Sequence, residues 1–334
     1  MKTKVLITGA SGFIGRRIVE SLAGERGLAL SILLRDPDKS VDLAREAALE
    51  VHKGDITKPE SLKAALSGKE VIVHCAALMS NFDSETRGKF YEVNAAGTEN
   101  LLKSCDLNAL KQFIHISAVG VYGACGDEPL NEEASYGRFL SAYEWSKKES
   151  EIAVLKYAKK MNIPFTILRP SHMYGAGMRY GWPDTIKAIN SGKMLIPGDG
   201  KSKIHLLNVN DLITAVKLAL LDERAMNKIY NIAGPEILNL REAFDAISEI
   251  LGVKPPARIP FLPAYLVAVL LSFIPGKLKS DKSALLTPHR VRFFSENHFY
   301  DISKARRELN YAPRINMREG FSQMIAWCRR KGLV

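Results

Sequence analysis

The sequence predicts an α/β protein built on a Rossmann-like, doubly wound parallel sheet with a smaller C-terminal substrate-binding lobe. A glycine-rich turn, Thr8 to Gly15, links an apolar strand at the start of the chain to an amphipathic helix. Further apolar strands alternate with helix-length segments, which is typical of parallel βαβ units. The 334 residues exceed the comfortable size of a single core, so a large and a small lobe are expected.

The glycine-rich turn predicts a phosphate site. Gly9 permits the tight turn, Gly12 lets the backbone approach a pyrophosphate, and Gly15 lets the helix pack on the strand. Amides at the start of the helix attract the phosphates of a dinucleotide. The residues expected to contact this cofactor are Gly9, Ser11, Gly12, Phe13, Ile14 and Gly15.

The end of the second strand bears on the choice of cofactor. This strand, Leu28 to Leu34, stops at Arg35, where an acidic residue would bind the ribose hydroxyls of NAD. A guanidinium can instead pair with a 2′-phosphate, so NADP is favoured. Asp36 could still reach a ribose, which keeps NAD as an alternative. Asp55, after a third strand at Leu49 to His52, either accepts from the adenine or caps a helix.

Three more strands and two long helices continue the pattern. The strands are Val71 to Ala77, Gln112 to Ser117 and Phe165 to Leu168, and the helices run from Asp83 to Cys105 and from Ser141 to Lys160. Because the carboxyl ends of parallel strands share one edge, the ligand site is expected there.

The remaining segments complete the two lobes. Leu206 to Asp211 and Lys228 to Ala233 are expected to complete a seven-stranded core. Residues 1–170 and 203–234 then form the NAD(P)-binding domain, and residues 171–202 and 235–334 form the substrate-binding lobe. The glycine-rich stretch from Gly175 to Gly200 is expected to be a mobile flap over the substrate.

Composition argues against several other classes of protein. The chain is 46% hydrophobic and 25% charged, as a globular protein is, and no signal peptide precedes the first strand, so a cytoplasmic location is expected. The net charge of +11 is spread and no recognised motif accompanies it, so no nucleic acid is expected. The four cysteines form no C-x-x-C pair and the histidines have no ligand spacing, which predicts free thiols and no metal.

The most apolar stretch of the chain, Phe261 to Ile274, has two interpretations. It is shorter than the roughly 20 residues needed to cross a bilayer. It could be a buried helix that covers an apolar substrate pocket. It could also lie at a membrane surface, with Lys277, Lys279 and Lys282 facing lipid phosphates, as a peripheral membrane contact.

The pair Tyr143 and Lys147 predicts acid–base chemistry. Residues four apart on a helix are neighbours on one face. A phenol normally ionises near pH 10, and a nearby ammonium and the positive nicotinamide ring of an oxidised cofactor both lower that pKa toward the range of a useful general base. With a nucleotide loop upstream, this pair predicts hydride transfer at a carbonyl or alcohol carbon.

Taken together, these motifs resemble the extended short-chain dehydrogenases/reductases of the NAD-dependent epimerase/dehydratase superfamily. The matching segments are Thr8 to Gly15, Gly54-Asp55, His74 to Ala77, Val93 to Thr98, Ser117 to Gly123, Tyr143 to Lys147, Arg169-Pro170 with Met173 to Gly175, and Asn208 to Asp211. The resemblance adds Ile56, Ala76, Ala77, Asn94, Pro170 and Met173 to the expected cofactor contacts. It also implies that Asn94 is the buried polar residue that supports the active site. It also implies a homodimer through the two long helices.

One position departs from the family pattern. The hydroxyl that steadies the substrate oxygen stands five residues before Gly123 in this family, and here that residue is Ala118. Ser117 is adjacent and is the candidate third catalytic residue, although neighbouring strand residues point to opposite faces. Ser80, Ser141 or a water are alternative donors.

The stretch Leu34 to Pro37 resembles dihydroflavonol reductase-like enzymes, and the C-terminal region resembles these and the 3β-hydroxysteroid dehydrogenases. The sequence therefore predicts an NADP(H)-dependent oxidoreductase that interconverts a ketone and a secondary alcohol on a bulky, mostly apolar small molecule. A nucleotide-sugar epimerase or dehydratase with tightly bound NAD is the first alternative. A redox-silent NADP-binding regulator is the second, favoured only by Ala118.

Overall fold

The computed structural model describes residues 2–40, 49–79, 86–137, 139, 141–273 and 287–334. The strands are β1 (Thr3–Thr8), β2 (Leu28–Leu34), β3 (Glu50–Lys53), β4 (Val71–His74), β5 (Gln112–Ile116), β6 (Phe165–Pro170), β7 (His172–Tyr174), β8 (Leu195–Pro197), β9 (Lys203–Asn208), β10 (Lys228–Ile232), β11 (Ile237–Asn239) and β12 (Ala257–Ile259).

The α-helices are α1 (Phe13–Leu22), α2 (Lys63–Leu66), α3 (Arg87–Phe90), α4 (Gly97–Ser104), α5 (Ala142–Met161), α6 (Trp182–Asn190), α7 (Val209–Ala219), α8 (Leu240–Leu251), α9 (Phe261–Ser272), α10 (Pro288–Phe293), α11 (Ser303–Leu309) and α12 (Met317–Arg330). A π-helix at Tyr91–Ala96 joins α3 to α4, and short 3₁₀ helices lie at Pro37–Ser40, Pro59–Ser61, Val119–Tyr122 and Glu223–Ala225.

The central sheet is parallel and doubly wound, as predicted. Its strand order is β10, β6, β5, β4, β1, β2, β3, and the order reverses between β1 and β4. A ligand site is expected at the carboxyl ends of the strands on either side of such a reversal. Thr8 pairs with His74 there, so the glycine-rich turn and the chain after β4 leave the sheet side by side.

Helices cover both faces of the sheet. Apolar side chains of α1, α7 and α11 pack on one face, and those of α2, α4 and α5 pack on the other. A separate apolar core, with Trp182, Phe244 and Phe321 at its centre, joins α6, α8 and α12. This second core holds the smaller part of the chain together.

The seventh strand of the sheet is β10, at the position predicted for Lys228 to Ala233. The expectation that Leu206 to Asp211 also completes the central sheet is wrong, because β9 ends at Asn208 and pairs with β7 and β11 in a separate three-stranded sheet. Asn208 caps α7 by accepting from the backbone N–H of Asn210 at 3.0 Å. The polar run after Leu207 therefore ends the strand and begins the helix.

Two other segments contain a helix that the sequence did not predict. The predicted helix from Asp83 to Cys105 begins outside the described residues, and its described part is interrupted by the π-helix at Tyr91–Ala96. The stretch from Gly175 to Gly200 contains helix α6, whose Trp182 and Ile186 are buried in the second core. Its role as a mobile flap over the substrate stays a prediction.

The apolar segment after β12 forms helix α9, with its last predicted residue, Ile274, outside the described residues. The prediction of a buried helix is wrong, because Ala264 and Ala268 alone are buried along α9 while Leu262 and Leu270 stay exposed. Within the described ranges, no helix has the length and apolarity to cross a membrane. Lys277, Lys279 and Lys282 also lie outside those ranges.

Candidate active site

The glycine-rich turn sits tightly against the chain after β4. Gly9 has a φ of +72°, and a side chain there would lie 2.6 Å from the backbone nitrogen of Ala76. A side chain at Gly15 would collide with the Gly9 carbonyl. Only glycine therefore fits at these two positions, which brings the start of α1 to the edge of the sheet.

The start of α1 offers backbone amides to a ligand. Gly12 is the N-cap and has no side chain to cap the helix. Ser11 and Gly12 are exposed, whereas Phe13 and Ile14 are partly buried. The first N–H groups of a helix have no partner within it, so this end can bind a phosphate.

Arg35 and Asp55 leave neighbouring strands of the sheet. Arg35 is exposed at the end of β2, and Gly54, at the end of β3, donates to the Leu34 carbonyl at 2.9 Å. Burial opposes ionisation of Asp55, but hydrogen bonds from Thr57 and the positive charge of Arg35 outweigh it and hold the pKa of Asp55 below its usual value. An anionic Asp55 therefore lies within the field of Arg35.

The side chain of Asp55 closes a local turn. Its Oδ1 accepts from both the N–H and the hydroxyl of Thr57 at 2.9 Å, and not from the start of the 3₁₀ helix at Pro59. The adjacent Ile56 is buried against Gly97 of α4. Asp55 therefore does not form the predicted helix cap. It lies near Arg35 at the edge of the sheet, where the contact with the adenine was predicted.

Asn94 fixes the chain that follows β4. Its Oδ1 accepts from the backbone N–H of Leu78 at 2.6 Å, and its Nδ2 donates to the Leu78 carbonyl at 3.0 Å and to Ser146 Oγ at 2.8 Å. Asn94 is 1% exposed. The side chain therefore holds Leu78 and Ser146 in place, in agreement with the supporting role that the resemblance implies, and its contact with the cofactor stays a prediction.

Helix α5 carries a buried face that is polar. Four of its side chains, Ser146, Lys147, Ser150 and Glu151, are between 0% and 3% exposed. Helices normally bury apolar side chains against a sheet, and buried polar groups need hydrogen-bond partners. A capping box between Ser141 and Glu144 begins this helix as predicted from Ser141.

The partners of these four side chains lie in strands β5 and β6 and in the π-helix. Lys147 Nζ donates to the Ile116 carbonyl at 2.7 Å, and Ser150 Oγ lies 3.0 Å from His115 Nε2, both in β5. Ser146 bonds to Asn94 in the π-helix. Glu151 and Arg169 of β6 form an ion pair at 2.6 Å, with both side chains buried. Helix α5 is thus held in one register at the carboxyl end of β5.

Tyr143 lies one turn before Lys147 and packs edge-on against Phe90 with ring centroids 6.4 Å apart. Burial raises the pKa of Tyr143 to about 12, and the neighbouring negative Glu144 adds to the rise. The predicted lowering of this pKa by Lys147 is therefore wrong for the protein alone, while the lowering by an oxidised nicotinamide stays a prediction. Tyr143 is protonated at neutral pH in this environment.

The pKa of Lys147 lies much closer to neutral pH than that of an ordinary lysine. Burial lowers the pKa of Lys147 to about 8, against the opposing influence of Glu151 and Cys75. Burial and the charge of Lys147 also lower the pKa of His74, to about 3, and that of His115. Lys147 is therefore the nearby group able to exchange a proton near neutral pH.

A hydroxyl without a partner lies at the end of β5. Ser117 is 3% exposed, its backbone N–H still pairs with the Leu168 carbonyl of β6, and its Oγ has no hydrogen-bond partner within the described residues. Ser117 lies two residues after His115, which contacts α5, so by strand alternation it shares that face. Ser80, an alternative donor, lies outside the described residues.

A cluster of histidines and aromatic residues lies beside α5 and was not predicted. His172 follows β6 and lies 5.2 Å from His298 and 4.6 Å from Phe293, measured between ring centroids. His289 Nε2 is 3.8 Å from Glu144, the neighbour of Tyr143. Burial lowers the pKa of His298 to about 4 and that of His172 well below its usual value, so both rings are neutral.

The members of this cluster lie far apart in sequence, and no local pattern announces them. The buried Nε2 of His172 has no partner in the part of the chain that is described. An unpaired buried nitrogen beside the candidate catalytic helix is a site for a polar group of a ligand.

Pro170 is buried at the end of β6, and Met173 of β7 is partly buried against the first core. Among the described residues, no group of three or more His, Cys, Asp or Glu side chains could hold a metal.

Comparison with known proteins places the chain in a family. The family model described as NAD dependent epimerase/dehydratase family matches residues 5–233, which is more than half of the chain. The extended short-chain dehydrogenase/reductase resemblance is thereby confirmed.

Three relatives of known name match almost the whole chain. A 3beta-hydroxysteroid-dehydrogenase/decarboxylase isoform of Arabidopsis thaliana is 27% identical over 96% of this chain and 78% of its own. A UDP-glucose 4-epimerase of Vibrio cholerae is 26% identical over 97% of this chain and 94% of its own. A 2-alkyl-3-oxoalkanoate reductase of Shewanella oneidensis is 24% identical over 96% of this chain and 85% of its own.

Solved structures share the fold. The crystal structure of gox2253 is 27% identical, with a TM-score of 0.83 and full coverage of both chains. A UDP-glucuronic acid 4-epimerase from Bacillus cereus, solved with UDP-glucuronic acid and NAD, is 23% identical, with a TM-score of 0.79 over 98% of this chain and 100% of that one.

The polar face of α5 makes a testable stability prediction. Glu151→Gln leaves the buried Arg169 guanidinium without its carboxylate, so the free energy of unfolding should fall by about 3–5 kcal/mol. The matched control is Glu249→Gln, because the Glu249–Arg318 pair is 62% and 60% exposed and should contribute less than about 1 kcal/mol. Urea denaturation of both variants provides the measurement. Equal, small losses in the two variants would contradict the importance of this buried pair.

Proposed function

Because the chain belongs to the NAD-dependent epimerase/dehydratase family and is an NAD(P)-dependent enzyme of the extended short-chain dehydrogenase/reductase type, we propose that it interconverts a ketone and a secondary alcohol with NADP(H). The proposed substrate is a bulky, mostly apolar molecule. The observation that carries this proposal is the register of α5, which sets Tyr143 one turn before a Lys147 bonded to the carboxyl end of β5. The proposed catalytic residues are Tyr143, Lys147 and Ser117.

The protonation states favour Tyr143 as the proton donor in ketone reduction. The nicotinamide of the bound cofactor supplies the hydride that reaches the carbonyl carbon. Hydride addition turns the carbonyl oxygen into a developing alkoxide, and Tyr143 gives this oxygen its proton. The transfer is favourable because an alkoxide is a far stronger base than a phenolate. The phenolate then recovers a proton from Lys147, whose pKa near 8 suits this transfer. A secondary alcohol, the oxidised cofactor and a neutral lysine result.

We assign the steadying of the substrate oxygen to Ser117, because its buried Oγ has no partner within the described residues and the family position holds Ala118. The rest of the substrate would lie against the cluster of His172, Phe293 and His298. This wall is aromatic, and its imidazoles are neutral. Such a surface suits an apolar skeleton with one polar group better than it suits a diphosphate.

Two relatives support a ketone or alcohol substrate on an apolar skeleton. One is named for oxidation of a steroid alcohol and the other for reduction of an oxoalkanoate. The alternative, a nucleotide-sugar epimerase or dehydratase with tightly bound NAD, is favoured by the Vibrio cholerae relative of comparable identity. A redox-silent regulatory role has only Ala118 in its favour.

We assign residues 1–170 and 203–234 to the cofactor domain and residues 171–202 and 235–334 to the substrate lobe. We further propose a homodimer through α4, α5 and the π-helix, because Tyr91 and Ile152 expose apolar surface there and Tyr91 stacks on Trp145. The proposed location is the cytoplasm, with peripheral membrane contact through α9.

The role of Tyr143 can be tested by removing one oxygen atom. Tyr143→Phe should lower turnover by about 100-fold or more, because it removes the proton donor. The affinity for NADPH should be nearly unchanged. The measurement is NADPH oxidation with a panel of apolar ketones, combined with fluorescence titration of NADPH.

The control for Tyr143→Phe is Tyr91→Phe in the neighbouring π-helix, which removes one hydroxyl and keeps the ring that stacks on Trp145 at the proposed dimer interface. It should leave both readouts as they are. Retained turnover in Tyr143→Phe, or a loss of NADPH affinity that explains the whole effect, would refute the assignment.

The cofactor preference can be tested at Arg35. Arg35→Ala should weaken NADPH binding about 10-fold or more and leave NADH binding nearly unchanged, because charge-assisted bonds to the 2′-phosphate are lost. Arg26→Ala is the matched control, since this exposed arginine lies at the opposite end of β2 and its loss changes the net charge equally. If both variants lose the same affinity, or if the wild type prefers NADH, the assignment of NADP fails.

A further inference from the structure

Helix α9 is apolar on every side and yet largely exposed. Its side chains Ala264 and Ala268 are buried, and they pack beside Val291 of α10. Leu262, Leu266, Leu270 and Phe273 follow each other at helical spacing and are 62%, 53%, 67% and 77% exposed. Phe261 and Val267 extend the same exposed surface. We call these six side chains the outer face of α9.

Such a surface needs a covering in the functional protein. Contiguous apolar patches on soluble proteins usually mark contact with a protein or a membrane. The sequence from Ile259 to Gly276 contains no charged residue, so the outer face brings no ionic group to a partner. Protein interfaces combine an apolar centre with a polar rim and specific hydrogen bonds, whereas a lipid surface requires only apolar insertion.

The charges that flank α9 favour an anionic surface. Lys254 and Arg258 are exposed just before the helix. The sequence adds Lys277, Lys279 and Lys282 beyond it, in a stretch outside the described residues, with Asp281 as the only acidic residue between Lys254 and Lys282. An apolar helix with cations at its ends binds in the plane of an anionic membrane. At 12 residues α9 is too short to cross one.

We propose that α9 docks flat on an anionic lipid surface, with its outer face inserted between the headgroups and with Lys254 and Arg258 beside the lipid phosphates. The proposal gives the peripheral contact of this protein a defined binding face and a lipid class. It rests on the exposure of α9 and on its flanking charges, and not on the reaction, so it can fail while the reductase activity stands.

The helix that carries this docking face packs, through its buried side, on the wall of the candidate active site. Helix α9 packs on α10, and α10 carries His289 and Phe293. His289 approaches Glu144 beside Tyr143, and Phe293 contacts the rings of His172 and His298. A membrane-bound α9 would therefore place the substrate cluster one helix away from the lipid, where apolar ketones concentrate.

The test is sedimentation of the full chain with vesicles. The protein should sediment with vesicles of phosphatidylcholine and phosphatidylglycerol at low salt, less at high salt, and far less with phosphatidylcholine alone. Leu266→Ser combined with Leu270→Ser should lower the partition about 10-fold or more, because two inserted leucines are lost. The matched control, Ile237→Ser with Leu333→Ser, removes two other exposed apolar side chains and should bind as the wild type does.

Three results would overturn the proposal: no sedimentation with anionic vesicles, equal sedimentation of the α9 variant, or a change in solution mass in that variant without lipid. The last result, from light scattering, would identify α9 as an interface between copies of the chain. NADPH titration of each variant separates these outcomes from misfolding and from failure of the proposed reductase. A variant that binds NADPH normally but has lost vesicle binding supports lipid docking.

Discussion

The candidate active site depends on the polar buried face of α5. Lys147, Ser150 and Glu151 bond to β5 and β6, and Ser146 bonds to Asn94 of the π-helix. An apolar face could slide along the sheet at little cost, whereas each of these groups loses its partner if the helix shifts. These hydrogen bonds therefore fix the position of Tyr143 relative to the strand ends, because a shifted helix would find no replacement partners for its buried polar groups.

The same burial sets the charges of the site. Among the described groups around it, Lys147 is the one with a pKa near 8, since His74 and His115 are held neutral and Cys75 is held protonated by burial. Tyr143 keeps its proton. The protein thus offers a neutral acid to a substrate oxygen, with a lysine one turn away, and the glycine-rich turn opens at the same edge of the sheet.

The sequence predicted what local patterns encode. The parallel sheet, strand β2 from Leu28 to Leu34, the glycine-rich turn at Gly9 to Gly15, and the helix that carries Tyr143 were all found where expected. The placement of β9 was wrong, because an apolar run does not reveal which strand it pairs with. The burial of α9 was wrong for a related reason, since composition does not tell what covers a helix.

The cluster of His172, His289 and His298 could not be predicted, because His172 lies far from His289 and His298 in the sequence and the three come together only in the folded chain. The raised pKa of Tyr143 could not be predicted from the sequence either. It depends on how deeply the phenol is buried and on where Lys147 Nζ points.

Retention of cofactor during purification tests the central proposal most directly. The protein should be purified without added nucleotide and denatured, and any released cofactor should be identified and quantified by mass spectrometry. A reductase exchanges its cofactor in every cycle, so we expect a protein that is largely free of nucleotide and that then binds NADPH in preference to NADH. Stoichiometric NAD or NADH released on denaturation would contradict this proposal and would favour an epimerase or dehydratase, which regenerates its cofactor without releasing it.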